Sequence, residues 1–145
     1  MNLNNTSAIT AAIGQFSGGW KNTALKADVQ TSLGPILLQT HQLTENGSFS
    51  LNASTSMAPV SVYLDSYFFE GSFNLDTSAS GTYVEQDSGV SDPWGQGRNR
   101  TGTMNHTEGG QHAEGCVYWE GKRPDNANWG EVNVVTSLAP VRLYV

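Results

Sequence analysis

Hydrophobic residues alternate with small polar residues along most of the chain after residue 20. A two-residue period puts one set of side chains on each face of an extended strand, so it predicts strands with one buried and one solvated face. Glycine, proline, asparagine and aspartate separate these runs, as expected of turns. The predicted strands lie near residues 27–33, 35–44, 47–56, 59–70, 72–85, 101–107, 113–120, 131–138 and 140–145.

The start of the chain follows a different period. Ile9, Ile13 and Phe16 recur at the spacing of one face of a helix. Two glycines follow them, as is common where a helix ends. We therefore predict one short helix over residues 6–17, placed before the β-rich part of the chain.

One of the predicted strands has a near copy elsewhere in the chain. Residues 47–56 and 71–80 carry Phe and Leu at the same alternating positions, 24 residues apart. Such a distance fits two strands and two turns, and two copies are too few for a stacked repeat array. The copies therefore predict consecutive hairpins. Because many short strands must protect their edges, we predict an all-β single domain over 1–145 with an antiparallel meander barrel over 20–145; a β-sandwich is the alternative.

Four residues resemble a feature of the lipocalin and wider calycin barrels: Gly18, Gly19 and Trp20 near the start, and Arg142 in the final predicted strand. In that family a G-x-W lays its Trp across the barrel floor, and an Arg of the last strand stacks over it. The resemblance implies a calycin-like barrel with Trp20 and Arg142 as structural residues and a small ligand inside. Residues 63–67 depart from the family's second motif, T-D-x-x-Y.

Aromatic residues are concentrated in the predicted strands, where they would line a barrel interior. We therefore predict binding of a small apolar or aromatic molecule. The candidate ligand-binding residues are Tyr63, Tyr67, Tyr83, Trp94 and Trp119. Trp94 belongs to the long polar segment 86–111, where it is either a lid or recognition tip, or a side chain packed back on the domain.

Three titratable residues are candidates for acid–base catalysis in the same interior. Asp65 lies between two tyrosines, and Glu85 and His41 are positioned on their strands to join it. A barrel enzyme, such as an isomerase, cyclase or hydrolase, is therefore an alternative function. The competing interpretation puts all three at strand ends or on the solvated face. The sequence contains no nucleophile elbow, phosphate loop, paired-cysteine motif or dinucleotide fingerprint.

A third function is a carbohydrate-binding or self-assembling interaction module. Trp94 and Trp129 would then sit at loop tips, and the apolar residues of 59–70 would pair with a second copy to form a homo-oligomer. Whether residues 59–70 face a cavity, a core or a neighbour would decide among the three functions.

Charge and composition narrow the partners. The chain has 7 basic and 13 acidic residues, a net charge of −6, and no basic stripe, so nucleic acid is not expected as a partner. No apolar run reaches the roughly 18 residues of a membrane span, and no signal sequence is apparent, which leaves the localisation open. His106, His112 and Glu114 lack the spacing of strong zinc motifs, so no metal or cofactor is expected.

Overall fold

The computed structural model describes residues 1–14, 24–41, 48–87, 89–107, 109–121 and 130–145. These residues form β-strands and no helix, so the protein is all-β throughout its described part. The strands are β1 (Asn2–Asn5), β2 (Ile9–Gly14), β3 (Leu25–Thr31), β4 (Ile36–His41), β5 (Phe49–Thr55), β6 (Val60–Tyr63), β7 (Gly71–Thr77), β8 (Thr82–Glu85), β9 (Arg100–His106), β10 (His112–Trp119), β11 (Gly130–Thr136) and β12 (Val141–Tyr144).

The strands belong to two sheets that the chain visits in turn. The large sheet has the order β1-β3-β5-β11-β7-β10-β9, and the small sheet has the order β2-β4-β6-β12-β8. Every pairing in the small sheet is parallel, as are those from β1 to β7 in the large sheet. Each coil of the chain therefore contributes one strand to each sheet. The antiparallel hairpin of β9 and β10 ends the large sheet beside β7.

The last coil of the chain is inserted between two earlier ones. β11 pairs with β5 on one side and β7 on the other, and β12 pairs in the same way with β6 and β8. Glycine is needed where the inserted coil begins, because a Cβ on Gly71 would lie 2.3 Å from the carbonyl oxygen of Gly130. These two residues are register partners, so the pair allows the backbones to approach closely.

Parallel register stacks like residues on like in the interior. Val29, Ala53, Val134 and Leu75 form one interior column of the large sheet, and all are buried. The small sheet faces it with columns such as Leu38, Val62 and Leu143. Side chains from both sheets join in one hydrophobic cluster, so the space between the sheets is a packed core.

A column of buried threonines marks the turns that lead from the large sheet to the small one. Thr31, Thr55, Thr136 and Thr77 share one register position, and each is followed by Ser. The Thr31 hydroxyl accepts a hydrogen bond from Gly34 N at 3.1 Å and donates to an adjacent turn, and the Thr77 hydroxyl donates to the turn of the inserted coil. These hydroxyls connect the turns of neighbouring coils.

The predicted N-terminal helix is wrong, because residues 9–14 form strand β2. Ile9 and Ile13 are both buried. Their spacing of four residues puts two side chains on one face of a helix and also on one face of a strand, so the pattern fitted both structures. Residues 15–17 lie outside the described residues.

The predicted antiparallel meander barrel is also wrong, and an antiparallel sandwich does not describe the two sheets either. The copied segments 47–56 and 71–80 contain β5 and β7, which lie in one sheet while β6 lies in the other. Their separation is therefore one coil. The register through β11 aligns Asn52 with Asn74, an offset of 22 residues where the sequence copies suggested 24. Because the two offsets differ by two residues, the same side chains still face inward.

The predicted strand over 59–70 ends at Tyr63. A turn follows, in which Phe68 N and Phe69 N donate to the Asp65 carbonyl oxygen. Residues 59–70 therefore do not form the continuous strand, apolar on both faces, on which the predicted self-association rested. The predicted strand over 72–85 is likewise divided into β7 and β8.

Candidate functional site

The outward side chains of four neighbouring strands of the large sheet, β11, β7, β10 and β9, form an open groove of about 460 Å³, here called the polar groove. Its polar lining residues are Ser72, Asn74, Thr103, Asn105, Glu114, Cys116, Glu131 and Asn133. Phe73, Met104 and Gly115 complete the lining. Strand alternation explains the composition, because the intervening residues of the same strands point into the core.

Strand register arranges the polar lining in two rows that cross the strands. The first row is Asn133, Asn74, Glu114 and Asn105. The second row is Glu131, Ser72, Cys116 and Thr103. Neighbouring strands are about 4.8 Å apart, so polar groups follow one another across the groove at that interval.

Hydrogen bonds between groove residues hold several of these side chains in place. The Asn105 amide donates to Glu114 Oε1 at 3.3 Å, and the Asn133 amide donates to Glu131 Oε1 at 3.1 Å. A side-chain amide offers two N–H donors and an oxygen with two lone pairs, which exceeds what these contacts use. The groove can therefore offer a ligand both donors and acceptors.

An imidazole lies at one end of the groove. His112 Nδ1 is 2.7 Å from Asp76 Oδ1, and His112 Nε2 is 3.6 Å from Glu114 Oε2. The hydrogen bond to Asp76 raises the pKa of His112 above its usual value. Asp76 also accepts a hydrogen bond from Asn74 at 3.0 Å, so the imidazole is linked to the first row on both sides.

The charge of the groove is negative at neutral pH. Glu114 and Glu131 contribute carboxylates, and no lysine or arginine lines it. The groove is therefore suited to neutral or cationic ligands and repels anions.

The small sheet carries a second cleft, of about 530 Å³, that brings together three of the sequence-predicted residues. His41, Asp65 and Tyr63 line it, with Gln39, Thr40 and Leu64. Asp65 N donates to the Thr40 hydroxyl at 2.7 Å, and Asp65 Oδ1 accepts from Tyr67 N at 3.2 Å. The contacts of Asp65 named here position the turn after β6.

The other candidates on the small sheet also lie on its outer face. Tyr63 stacks on Tyr144 with ring centroids 4.2 Å apart, and a hydrogen bond with Tyr144 raises the pKa of Tyr63. Glu85 is the exposed register neighbour of Tyr144. The Arg142 guanidinium lies 5.7 Å from the centre of the Tyr83 ring. Trp20, its expected partner, is outside the described residues.

Trp94 and Trp119 belong to a third cluster, around the segment that precedes β9. Trp119 is fully buried, and its indole N–H donates to the Tyr67 carbonyl oxygen at 3.1 Å, while the Tyr67 side chain itself is exposed. The Arg98 guanidinium lies between the two indoles, 4.5 Å from the Trp94 ring and 5.9 Å from the Trp119 ring. Trp94 is half-buried in this arrangement.

An ion pair fixes the segment that carries Trp94. Asp92 accepts hydrogen bonds from the Arg98 side chain at 2.8 Å and from Trp94 N at 3.0 Å. The Arg98 hydrogen bond holds the pKa of Asp92 well below its usual value. Arg100, which donates to the Phe69 carbonyl oxygen, has its pKa lowered to about 10 by burial. Trp94 is therefore anchored through Asp92 and Arg98.

Comparisons with models of protein families, with curated proteins and with solved structures found no match. The site is therefore interpreted from its own geometry. Among the described residues, no group of three or more His, Cys, Asp or Glu side chains is arranged to hold a metal ion. The described strands and turns also include no helix long and apolar enough to cross a membrane.

Sequence reasoning did not identify the polar groove, although it considered His112 and Glu114 as metal ligands. Its residues appeared in the sequence only as the solvated side of strands. The Thr-Ser pairs at 31, 55, 77 and 136 were the available signal, because aligning them aligns Asn52, Asn74 and Asn133 as well.

Proposed function

We propose that the protein binds a neutral carbohydrate in the polar groove. The observation that carries this proposal is the pair of polar rows, which offer amides, hydroxyls and carboxylates at a regular interval over four strands. Sugar hydroxyls both donate and accept hydrogen bonds, and therefore complement a surface that mixes amides with carboxylates.

The charge of the groove supports a neutral ligand. Glu114 and Glu131 accept hydrogen bonds from hydroxyl groups but repel phosphates, sulfates and uronates. The same carboxylates argue against nucleic acid.

The position of the groove argues against an extended peptide. Peptides that bind to sheets commonly add a strand to an exposed edge. Here β11, β7 and β10 each have a neighbour on both sides, so their backbone groups already pair within the sheet. What the groove offers is side chains, which suits a ligand recognised through its hydroxyl groups.

The packed core argues against the small apolar ligand predicted from the sequence. That prediction required a closed barrel with an interior cavity, whereas the described interior is filled by hydrophobic side chains. Because no aromatic ring other than Phe73 lines the polar groove, we expect weak binding, with a Kd in the millimolar range, about 4 kcal/mol.

The proposal is tested by NMR titration with neutral cello-, xylo- and manno-oligosaccharides, each up to about 20 mM. We expect saturable shifts of groove resonances. Asn74→Ala and Glu114→Ala should each weaken binding about fivefold, the size of one net hydrogen bond of about 1 kcal/mol. Ser61→Ala, an outward position of the small sheet, is the matched control and should bind like the wild type. Saturable shifts from none of the three sugar series would overturn the proposal.

A further inference from the structure

The first row of the polar groove continues beyond the groove across the remaining strands of the large sheet. Asn133 is the register partner of Asn52 on β5, Asn52 that of Asp28 on β3, and Asp28 that of Asn2 on β1. With the four groove residues, this line contains one amide or carboxylate from each of the seven strands. We call it the amide row. At the usual strand spacing it is about 29 Å long.

Hydrogen bonds along the amide row fix the orientation of its members. The Asn52 amide donates to Asp28 Oδ1 at 2.8 Å, and the Asn133 amide donates to Asn52 Oδ1 at 3.3 Å. Each amide thus points its nitrogen towards the strand on the β1 side. Groups held in one orientation lose little conformational freedom when a ligand binds. The row therefore presents a repeated, preorganised polar group.

Small side chains flank the row where it leaves the groove. On β5 the outward neighbours of Asn52 are Ser50 and Ser54. A ligand that occupies the groove can continue over Asn52 towards Asp28 without meeting a large side chain on that strand.

Resting on the proposed function, we infer that the ligand is an extended linear polysaccharide that lies across the strands along the amide row. A repeated protein group at a fixed interval selects a ligand that repeats at a matching interval. In an extended β-1,4-linked chain of pyranoses, one sugar advances by about one strand spacing of roughly 4.8 Å. A coiled α-1,4-linked chain of the same sugar does not stay in step with the row.

The test measures how affinity depends on chain length, by NMR titration with cello-, xylo- and manno-oligosaccharides of two to six units. Malto-oligosaccharides are the coiled control. For an extended series that binds, Kd should fall about threefold per added unit, beyond the statistical gain from extra binding positions, as expected of one net hydrogen bond per unit. Malto-oligosaccharides should show no such dependence.

Variants outside the groove locate the path of the chain. Asn52→Ala should weaken binding of the hexasaccharide about threefold, by one net hydrogen bond, and leave the disaccharide unaffected. Ser54→Ala, on the same strand and face, is the matched control and should change neither.

The outcomes separate the inference from the proposed function. Saturable binding whose Kd is the same for two and six units, or equal loss of disaccharide and hexasaccharide binding in Asn52→Ala, would overturn the inference while leaving a groove that binds carbohydrate. Absence of binding by every extended series would remove the proposed function, and the inference with it.

Discussion

The outer faces of the two sheets are built by the same coils but differ in chemistry. Outward positions of the large sheet are mainly Asn, Asp, Ser and Glu, whereas those of the small sheet include Tyr63, Arg142, Tyr144 and Tyr83. On the large sheet one type of group recurs from strand to strand. On the small sheet the register neighbours differ and contact each other, as in the stack of Tyr63 on Tyr144. Repetition of one group in a row is therefore what distinguishes the candidate binding face.

The largest expected effect comes from a core change that both faces share. Leu143 is buried on β12, in the inserted coil, between Val62 and Val84. Leu143→Ala should lower the free energy of unfolding by about 2–5 kcal/mol, since it removes buried methyl groups and leaves a cavity. Urea denaturation measures the loss.

Leu138→Ala is the matched control, because Leu138 is exposed in the turn between β11 and β12. It should change stability by less than about 0.5 kcal/mol. Equal effects of the two substitutions would contradict the burial of β12 in a core common to both sheets.

A smaller effect is expected at the aromatic pair of the small sheet. In a double-mutant cycle with Tyr63→Leu and Tyr144→Leu, the coupling free energy should be about 0.5–1.5 kcal/mol, as for stacked rings. Carbohydrate binding should not change in either variant, because the pair lies on the opposite outer face. A loss of binding in these variants would assign the ligand to the small sheet.

The smallest effect is expected from the imidazole at the end of the polar groove. Because the pKa of His112 is raised in the folded protein, its contact with Asp76 stabilises the fold below the unfolded pKa of about 6.5 and is lost as the pH rises through the folded value. His112→Gln should therefore lower the melting temperature more at pH 5.5 than at pH 9. The reverse order would contradict the direction of the pKa shift.

Local alternation was enough to predict most strands of the two sheets but not how they connect. Phe49 and Leu51 were assigned to one face from their spacing, and both are buried. The direction of pairing was not encoded locally, because a parallel coil and an antiparallel hairpin present the same alternation in each strand. The copied Phe and Leu also outweighed the Thr-Ser pairs at 55 and 77, which mark the true offset.

The candidate site was harder to predict because it depends on the insertion of the last coil. Asn133 and Asn74 become register partners only because β11 lies beside β7, and Glu114 joins them through an antiparallel pairing. No spacing along the chain brings these three residues together. His41, Asp65 and Tyr63 share a cleft for a simpler reason, since β4 and β6 are consecutive strands of one sheet.

The insertion of the last coil also governs the order in which the molecule can be built. Asn52 and its bonded neighbour Asn133 are separated by 81 residues, so β5 and β7 gain their shared partner only when the final segment arrives. A ribosome must therefore release almost the whole chain before the middle of the core can close. Contacts between such distant residues make folding slow, on the order of milliseconds to seconds for domains dominated by them.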